Sequence, residues 1–588
     1  MSRSRMLRGI GVSPGVAWAP ALVVRLDFPD VPDRTVAPDE VEGEIRRLHA
    51  AVRVVVGHLT KLGQRALERA GPEESRIFDA QILMAQDGDF LASVEQLIRN
   101  NQLSAETAYE FKALELRQLF SSSGSAQLRD RLADLHAIQM RMLHRLMGRK
   151  EEELWSIPAG EQVIVVAHEL APGLTVQLDR EHVVGLISEE GTNTSHAAIL
   201  AHSLGIPAVM GLSGALDEIR TGATLLLDGQ SGVVVIEPTR PELEDARVRL
   251  SRRQRFEMQL EAVLAEPART PDDVGVTLMG NVDLPDEIEA AVSHGAEGVG
   301  LLRTEFLVTG RATMPTEEEQ TVYFQRVSSA FGEHVVVIRS YDLGGDKFPA
   351  AFKAPAEANP FLGWRSIRVC LDRPELFRAQ LRAVLRAAAG RNIHLMLPLV
   401  TRVEEVVRAR AMLAEEADAL RTAGVRAAET VPVGVMIETP AAVVIADLLA
   451  RESAFFSVGT NDLTQYTMAV DRGNARLAAR FTPFHPSVVR QLRSIEAAGT
   501  AAGLPVSVCG EMASDPVGAV LLLGLGYRRL SVSPPAIPLV KWVIRNVPES
   551  AARAAADKAL DASDAAGVVA AIRDGIAQHV DLRVVSPL

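Results

Sequence analysis

From about residue 269 onward, eight short and mostly apolar runs alternate with helical stretches: VGVTLMGNV, EGVGLLRTEF, HVVVIRSYD, NIHLMLPLV, VPVGVMIE, AFFSVGTND, LPVSVCGE and RRLSVSP. Few folds accept eight consecutive strand-helix units. The pattern predicts a C-terminal (β/α)8 TIM barrel over residues 269–575, in which catalytic groups gather at the C-terminal ends of the strands. An open doubly wound sheet is the alternative, but no G-x-G-x-x-G opens its first unit.

The region before the barrel has two textures. RGIGVSPGVAWAPALVV reads as strand, Gly/Pro turn, strand, and is followed by the break DFPDVPDRTVAPDE. Val41, Ile45, Leu48, Val52, Val55 and Leu59 then recur four and three apart, which draws one apolar stripe along a helix. Further helical blocks lie near IFDAQILMAQ, SAETAYEFKALELRQLF and AQLRDRLADLHAIQMRMLHRLM. Their stripes find burial only against one another, so a four-helix bundle is expected over residues 36–148. Strand patterns resume in EQVIVVAHEL, HVVGLISEE, IPAVMGL and the hairpin-like TLLLDGQSGVVVIEP. The bundle is therefore expected as an insertion in an α/β domain made of residues 1–30 plus 149–238. A charged, uncapped helical stretch over 239–268 reads as the connector to the barrel.

At 588 residues and 47% hydrophobic content, a multidomain α/β chain is the natural reading. A net charge of −13 and the absence of a motif-grade Lys/Arg run argue against a nucleic-acid partner. Two cysteines, Cys370 and Cys509, are too few for a disulfide framework and fit a reducing compartment, so a cytoplasmic protein is expected. The basic N-terminus leads into a stretch broken by Gly and Pro rather than a signal-peptide core, and no run nears the ~18 apolar residues of a membrane span.

In a barrel, the polar residues just past each strand share one mouth. Here they are Arg303, Arg339, Glu438, Asn461, Asp462, Arg472 and Cys509. Any one of them could be a rim residue or half of a surface ion pair. Three guanidiniums beside two carboxylates, taken together, suit a ligand bearing phosphate and carboxylate groups, because Arg grips such anions bidentately. Glu438 and Asp462 could hold Mg²⁺ through oxygen, and no His/Cys cluster favours zinc. Cys509 is either a buried small hydrophobe or a proton donor at that mouth. Outside the barrel, GTNTSHAAILAHSLGIPAV places His196 behind small hydroxyl residues and ahead of an apolar helical run, as packing material, metal ligand or nucleophile.

Longer motifs then point to a family. GAEGVGLLRTEFL, PTEEEQ, GGDK, NPFLGWRSIR, VGVMIETPAA, FFSVGTNDLTQYTMAVDRGN and CGEMASD, with GIGVSPGVA and TSHAAILA, closely resemble the phosphoenolpyruvate-protein phosphotransferases, Enzyme I of the sugar phosphotransferase system. The resemblance covers almost the whole chain. It implies phosphoryl transfer from phosphoenolpyruvate to a histidine of the enzyme and on to a histidine of the carrier protein HPr. It implies His196 as the phosphorylated nucleophile on a swivelling phosphohistidine domain, with Thr175 hydrogen-bonded to it. Arg303, Arg339, Asn461 and Arg472 match the family's substrate contacts, Glu438 and Asp462 its Mg²⁺ ligands, and Cys509 its proton donor, with Lys347 and Arg365 as further site residues. Asp462 thus stands beside both substrate and metal. The helical insertion would be the HPr-docking surface, with IFDAQILMAQDGDF as the candidate contact, and the barrel would make a homodimer.

Two positions depart from the family pattern G-G-R-T-S-H and its Arg six residues after the His: Asn193 and His202 stand where arginines are usual. A dikinase or synthase of the same superfamily would need a large ATP-binding domain, for which the chain has no room. A nitrogen-branch paralogue serving a regulatory carrier is the alternative within the family.

Overall fold

The N-terminal residues form strands β1 (Arg5–Arg8), β2 (Ile10–Ser13) and β3 (Val16–Val24), and the next strand of their sheet, β4 (Val163–Ala167), comes only after a long helical excursion. The two still pair in parallel, from Ala21 with Ile164 to Val24 with Ala167. With β5 (Val183–Ser188), β6 (Ala208–Met210), β7 (Thr224–Asp228) and β8 (Val233–Ile236) they complete one sheet of order β1-β8-β7-β3-β4-β5-β6-β2. The expected hairpin is the antiparallel β7–β8 pair. The computed structural model describes residues 4–24, 29–69, 72–122, 132–149, 161–168, 182–191, 198, 201, 205–308, 311, 313–344, 357, 359–472 and 474–581. The chain divides into two units, residues 1–254 and 255–588.

The excursion is the helical bundle. Its first helix, Val41–Arg69, buries Ile45, Leu48, Val52, Val55 and Leu59 against Phe78, Val94, Ile98, Met142 and Leu143 of the others, so the stripe read from the sequence is its core face. The expected blocks correspond to helices Val41–Arg69, Pro72–Ala85, Ala105–Ser122 and Leu132–Leu146, and a fifth among the described residues, Gly88–Asn101, joins them. Asp87 caps that fifth helix by accepting the Phe90 N–H at 2.8 Å, and Leu91, Val94 and Ile98 are its buried stripe. The connector helix, Arg240–Ala262, is not uncapped as expected: Glu242 accepts from the Thr239 N–H at 2.6 Å and from its hydroxyl at 2.7 Å. The T-x-x-E spelling of Thr239 to Glu242 is the sequence signal for it.

All eight expected barrel strands form: β9 (Thr277–Val282), β10 (Val299–Leu302), β11 (Val336–Arg339), β12 (Ile393–Leu397), β13 (Val433–Ile437), β14 (Phe456–Val458), β15 (Val506–Val508) and β16 (Arg529–Val532). Every pairing is parallel, and β16 pairs with β9 to close the ring. Strand alternation divides the side chains. Val299, Ile338, Leu395, Val435, Val458, Val508 and Leu530 belong to the outer core beneath the helices, while Leu301, Val337, Met396 and Met436 form an inner apolar cluster that includes Cys509. No helix among the described residues is long and apolar enough to cross a membrane.

Candidate active site

Of the predicted site residues, Arg339, Arg365, Asp462 and Arg472 are linked at the barrel mouth in one chain of alternating charge, with Asp342 between the two first-named and Glu305 beyond Arg339. Arg339 ends β11 and is buried, with Nη2 donating to Glu305 Oε1 at 2.9 Å and Nη1 lying 3.2 Å from Asp342 Oδ2. Asp342 accepts Arg365 Nη2 at 2.8 and 2.9 Å through its two oxygens. The same Arg365 nitrogen lies 3.5 Å from Asp462 Oδ2, and Arg472 Nη1 lies 3.1 Å from Asp462 Oδ1. Both Arg365 and Arg472 also stack over the Phe361 ring, at 5.6 and 5.8 Å from its centroid. Arg303, directly after β10, pairs with Asp283 directly after β9. Asn461 is anchored twice to Glu511, donating to its carboxylate at 3.0 Å and accepting its backbone N–H at 3.2 Å.

Burial opposes the charge on Arg339, but the combined field of Glu305, Asp342 and Glu438 more than offsets it and raises its pKa. Its Nε is buried with no partner, an open donor in an otherwise paired guanidinium. Glu438, one residue past β13, is also buried. Its pKa is pushed up to about 8, chiefly by burial and then by the like charges of Asp462 and Asp342, against the pull of Arg339 and of a backbone donor. That donor is Leu399, whose N–H reaches Glu438 Oε1 at 2.6 Å from a left-handed backbone with φ of 54°, a strained conformation for leucine. On the other side, a Cβ at position 459 would fall 2.7 Å from Glu438 Oε2, so only glycine fits there.

Cys509 follows β15 with its N–H on the Val458 carbonyl at 3.0 Å and its Sγ 3.6 Å from the same oxygen. Burial pushes the thiol pKa up to about 11, helped by Glu438, while the Ser457 hydroxyl, Arg303 and Arg339 pull the other way. The thiol is thus protonated at neutral pH.

Among the described residues no three His, Cys, Asp or Glu side chains are arranged as a metal centre. The two buried carboxylates Glu438 and Asp462 nevertheless fit a hard divalent cation with oxygen ligands, which would offset the burial and like-charge repulsion that raise the Glu438 pKa.

His196, Thr175 and Lys347 lie outside the described residues, as do Asn193 and His202. The sheet ends that flank the histidine segment are described. His168, just past β4, bonds Glu189 through Nδ1 at 2.8 Å, and Glu189 in turn accepts the Leu216 N–H at 3.0 Å. Sequence reasoning missed the carboxylates Asp283, Glu305 and Asp342, although each follows a strand by only a few residues and two stand inside the runs LLRTEF and VVIRSYD.

Comparison with known proteins gives three adjoining family matches: PEP-utilising enzyme, N-terminal, over residues 8–131; the mobile domain over 159–232; and the PEP-binding domain over 257–548. The phosphoenolpyruvate-protein phosphotransferase of Geobacillus stearothermophilus is 39% identical over 533 residues, covering 90% of this chain and 91% of that protein. That of Bacillus subtilis (strain 168) is 36% identical over 568 residues, with 97% and 99% covered. The Haemophilus influenzae protein of the same name is 36% identical over 563 residues, with 96% and 98% covered.

Proposed function

Because the chain belongs to the phosphoenolpyruvate-protein phosphotransferase family and is an enzyme of that type, we propose that the barrel mouth binds phosphoenolpyruvate and that His196 accepts its phosphoryl group. The observation that carries this reading is the Arg339 environment: a buried guanidinium with an open donor, set in a charge chain that ends in Arg472 and beside a carboxyl pair fit for a cation. Phosphoryl transfer asks a protein mainly for positioning and charge neutralisation, and this is a site built of both.

In this reading Arg303, Arg339 and Arg472 bind the phosphate and carboxylate oxygens, with Asn461, Lys347 and Arg365 in support. A nitrogen of the neutral His196 ring attacks phosphorus, the bond from phosphorus to the enol oxygen breaks, and the enolate of pyruvate is left on the barrel. Its C3 takes the proton of the Cys509 thiol, giving pyruvate, and the thiolate regains a proton from solvent. Thr175 orients His196. Glu438 and Asp462 would hold Mg²⁺, which would neutralise the carboxyl pair and supply positive charge against the anionic substrate.

The phosphoryl group would pass from His196 to a histidine of an HPr-like phosphocarrier docked on the helical bundle, as the first step of a sugar phosphotransferase system in the cytoplasm. Since acceptor and donor site belong to different domains, the reading includes a four-part division: residues 1–30 plus 149–238 carry the histidine, 36–148 the carrier site, 239–268 the linker and 269–575 the substrate site. The linker then allows the histidine to reach donor and carrier in turn. A homodimer through the barrel belongs to the same proposal.

The test is incubation of the purified protein with labelled phosphoenolpyruvate and Mg²⁺. Acid-labile label is expected on the wild type and not on His196→Ala. Label retained by that variant, or none on the wild type, would overturn the reading, and a panel of small histidine carriers identifies the acceptor.

A further inference from the structure

The inner face of the barrel is lopsided. On β10 to β13 it is lined by Leu301, Val337, Met396 and Met436. Across β14, β15, β16 and β9 it carries Ser457, Ser507, Ser531 and Asn281, each alternating with outer-core residues such as Phe456, Val458, Val508, Leu530 and Val282. Burying a polar side chain costs free energy unless it is bonded, and of these four Ser507, Ser531 and Asn281 are bonded while Ser457 Oγ has no partner among the described residues. Where its bonds lead therefore shows what it holds.

Asn281 and Ser531 lead to Cys509. The β15–β16 ladder stops at Val508, paired with Leu530, so Cys509 lies just beyond the last registered pair. Its carbonyl is taken instead by Asn281 Nδ2, at 3.1 Å, from β9 on the far side of β16. A carbonyl only accepts, so the amide nitrogen must face Cys509 and the amide oxygen must face the other way. There Ser531 Oγ, which also lies 3.2 Å from the Gly280 carbonyl, gives its one proton to the nearer acceptor, Asn281 Oδ1 at 2.7 Å, and supports the amide in that sense. Ser531 itself needs room: a Cβ at position 300 would fall 2.5 Å from both its Cβ and its Oγ, so Gly300 leaves the space it occupies.

We propose that Ser531 and Asn281 are positioning residues for protonation of the enolate, acting through the Cys509 backbone; this rests on the reading of Cys509 as the proton donor. The thiol lies against the Val458 carbonyl inside the protein, with Sγ 3.6 Å from that oxygen, and Cys509 is only 2% exposed. To reach a substrate carbon, Sγ must turn about the Cα–Cβ bond. That turn delivers the proton to one face of the enolate only if Cα stays in place. The Cys509 N–H is bonded to the Val458 carbonyl at 3.0 Å on one side, and the Asn281 amide holds the Cys509 carbonyl on the other, beyond the end of the β15–β16 ladder. An error of about 1 Å at a reacting atom is enough to cost on the order of a hundredfold in rate.

The experiment uses the full chain with Ser531→Ala, Asn281→Leu and Cys509→Ala. Single-turnover pyruvate formation is followed together with the stereochemistry of proton addition, using phosphoenolpyruvate stereospecifically deuterated at C3 in tritiated water. Ser531→Ala is expected to slow pyruvate formation about tenfold and Asn281→Leu about a hundredfold, with KM for phosphoenolpyruvate unchanged and with loss of single-face proton addition. Single-face addition at wild-type rate in folded Ser531→Ala would overturn the proposal, as would a rise in KM with kcat unchanged. If Asn281→Leu fails to fold, Ser531→Ala decides the matter alone. Undiminished turnover in Cys509→Ala would instead sink the proton-donor reading itself, whereas an impaired Cys509→Ala beside an unaffected Ser531→Ala would sink only the positioning role.

Discussion

Two arginine-carboxylate networks lie in different units of this chain, and they are built for opposite ends. In the helical bundle, Arg34 and Arg47 both bridge Glu44 and Glu106, Arg47 also donates to the Leu146 carbonyl at 2.7 Å, and Glu44 takes the Ala105 N–H at 2.9 Å. The carboxylates are buried and the guanidiniums half exposed, so charge is balanced and the remaining donors meet water. At the barrel mouth the guanidiniums of Arg339 and Arg365 are themselves buried, one donor is open, and burial together with the like charges of Asp462 and Asp342 raises the Glu438 pKa despite Arg339. The same two residue types make a closed fastening in one place and an incomplete one in the other. Incompleteness, rather than charge density, is what marks the mouth as a site.

The largest test of this contrast is Arg339→Met. It removes the proposed substrate grip and leaves Glu305 and Asp342 short of a partner, so phosphohistidine formation should fall by more than about a thousandfold and the barrel should lose about 3–5 kcal/mol of stability, read by label incorporation and by denaturant unfolding. Unchanged stability would mean the mouth carboxylates are already solvated. A second test concerns the thiol. With its pKa near 11, Cys509 stays protonated where an ordinary thiol of ~8.5 has ionised. Its alkylation rate in the full protein should therefore begin to climb only well above pH 9, and an inflection near pH 8.5 would refute the burial argument.

Smaller effects are expected in the bundle. Burial of Glu44 works against its charge, but the Ala105 N–H, Arg47 and Arg34 hold its pKa below the usual carboxylate range. A lowered folded-state pKa gives stability that is present above the unfolded value of ~4.3 and is lost as pH falls through the folded one. Glu44→Gln should cost about 2 kcal/mol at pH 7 and flatten the acid limb of the unfolding curve, while labelling by phosphoenolpyruvate stays at the wild-type level. Arg34→Met, at a half-exposed position, should cost about 0.5 kcal/mol, measurable at low salt and fading at high salt. A large catalytic loss in either variant would break the distinction between the two networks.

How much of the molecule is legible in the sequence follows from the same contrast. Barrel strands are announced by apolar runs, and the residue that ends each run has only one place to go, so the strand pattern alone puts Arg303, Arg339, Glu438 and Cys509 at a common mouth. It does not supply their partners. Asp342 sits in a loop and Glu305 opens a one-turn 3-10 helix, Glu305–Leu307, and the direction of such residues depends on tertiary pairing that no local period encodes. Asn281 is hidden differently: inside GVTLMGNV it reads as the polar tail of a strand, and its reach across β16 to Cys509 becomes visible only when the ring closes. The helix Gly88–Asn101 escapes the sequence reading although Leu91, Val94 and Ile98 keep the helical spacing and Phe90 and Leu97 widen the same apolar stripe.

The parallel pairing of β3 with β4 carries a consequence for how the chain is made. β3 leaves the ribosome long before β4 exists, and its other neighbour, β7, comes later still. A strand waiting with open edges is prone to pair wrongly. The bundle synthesised in between has its own core, and by folding first it shortens the effective loop that separates the two strands, turning a costly closure into a local one. Refolding followed by pulsed hydrogen exchange should then protect the helices of residues 41–146 before Ala21 to Val24, and the insertion proposed as the carrier-docking surface would also set the order in which the sheet assembles.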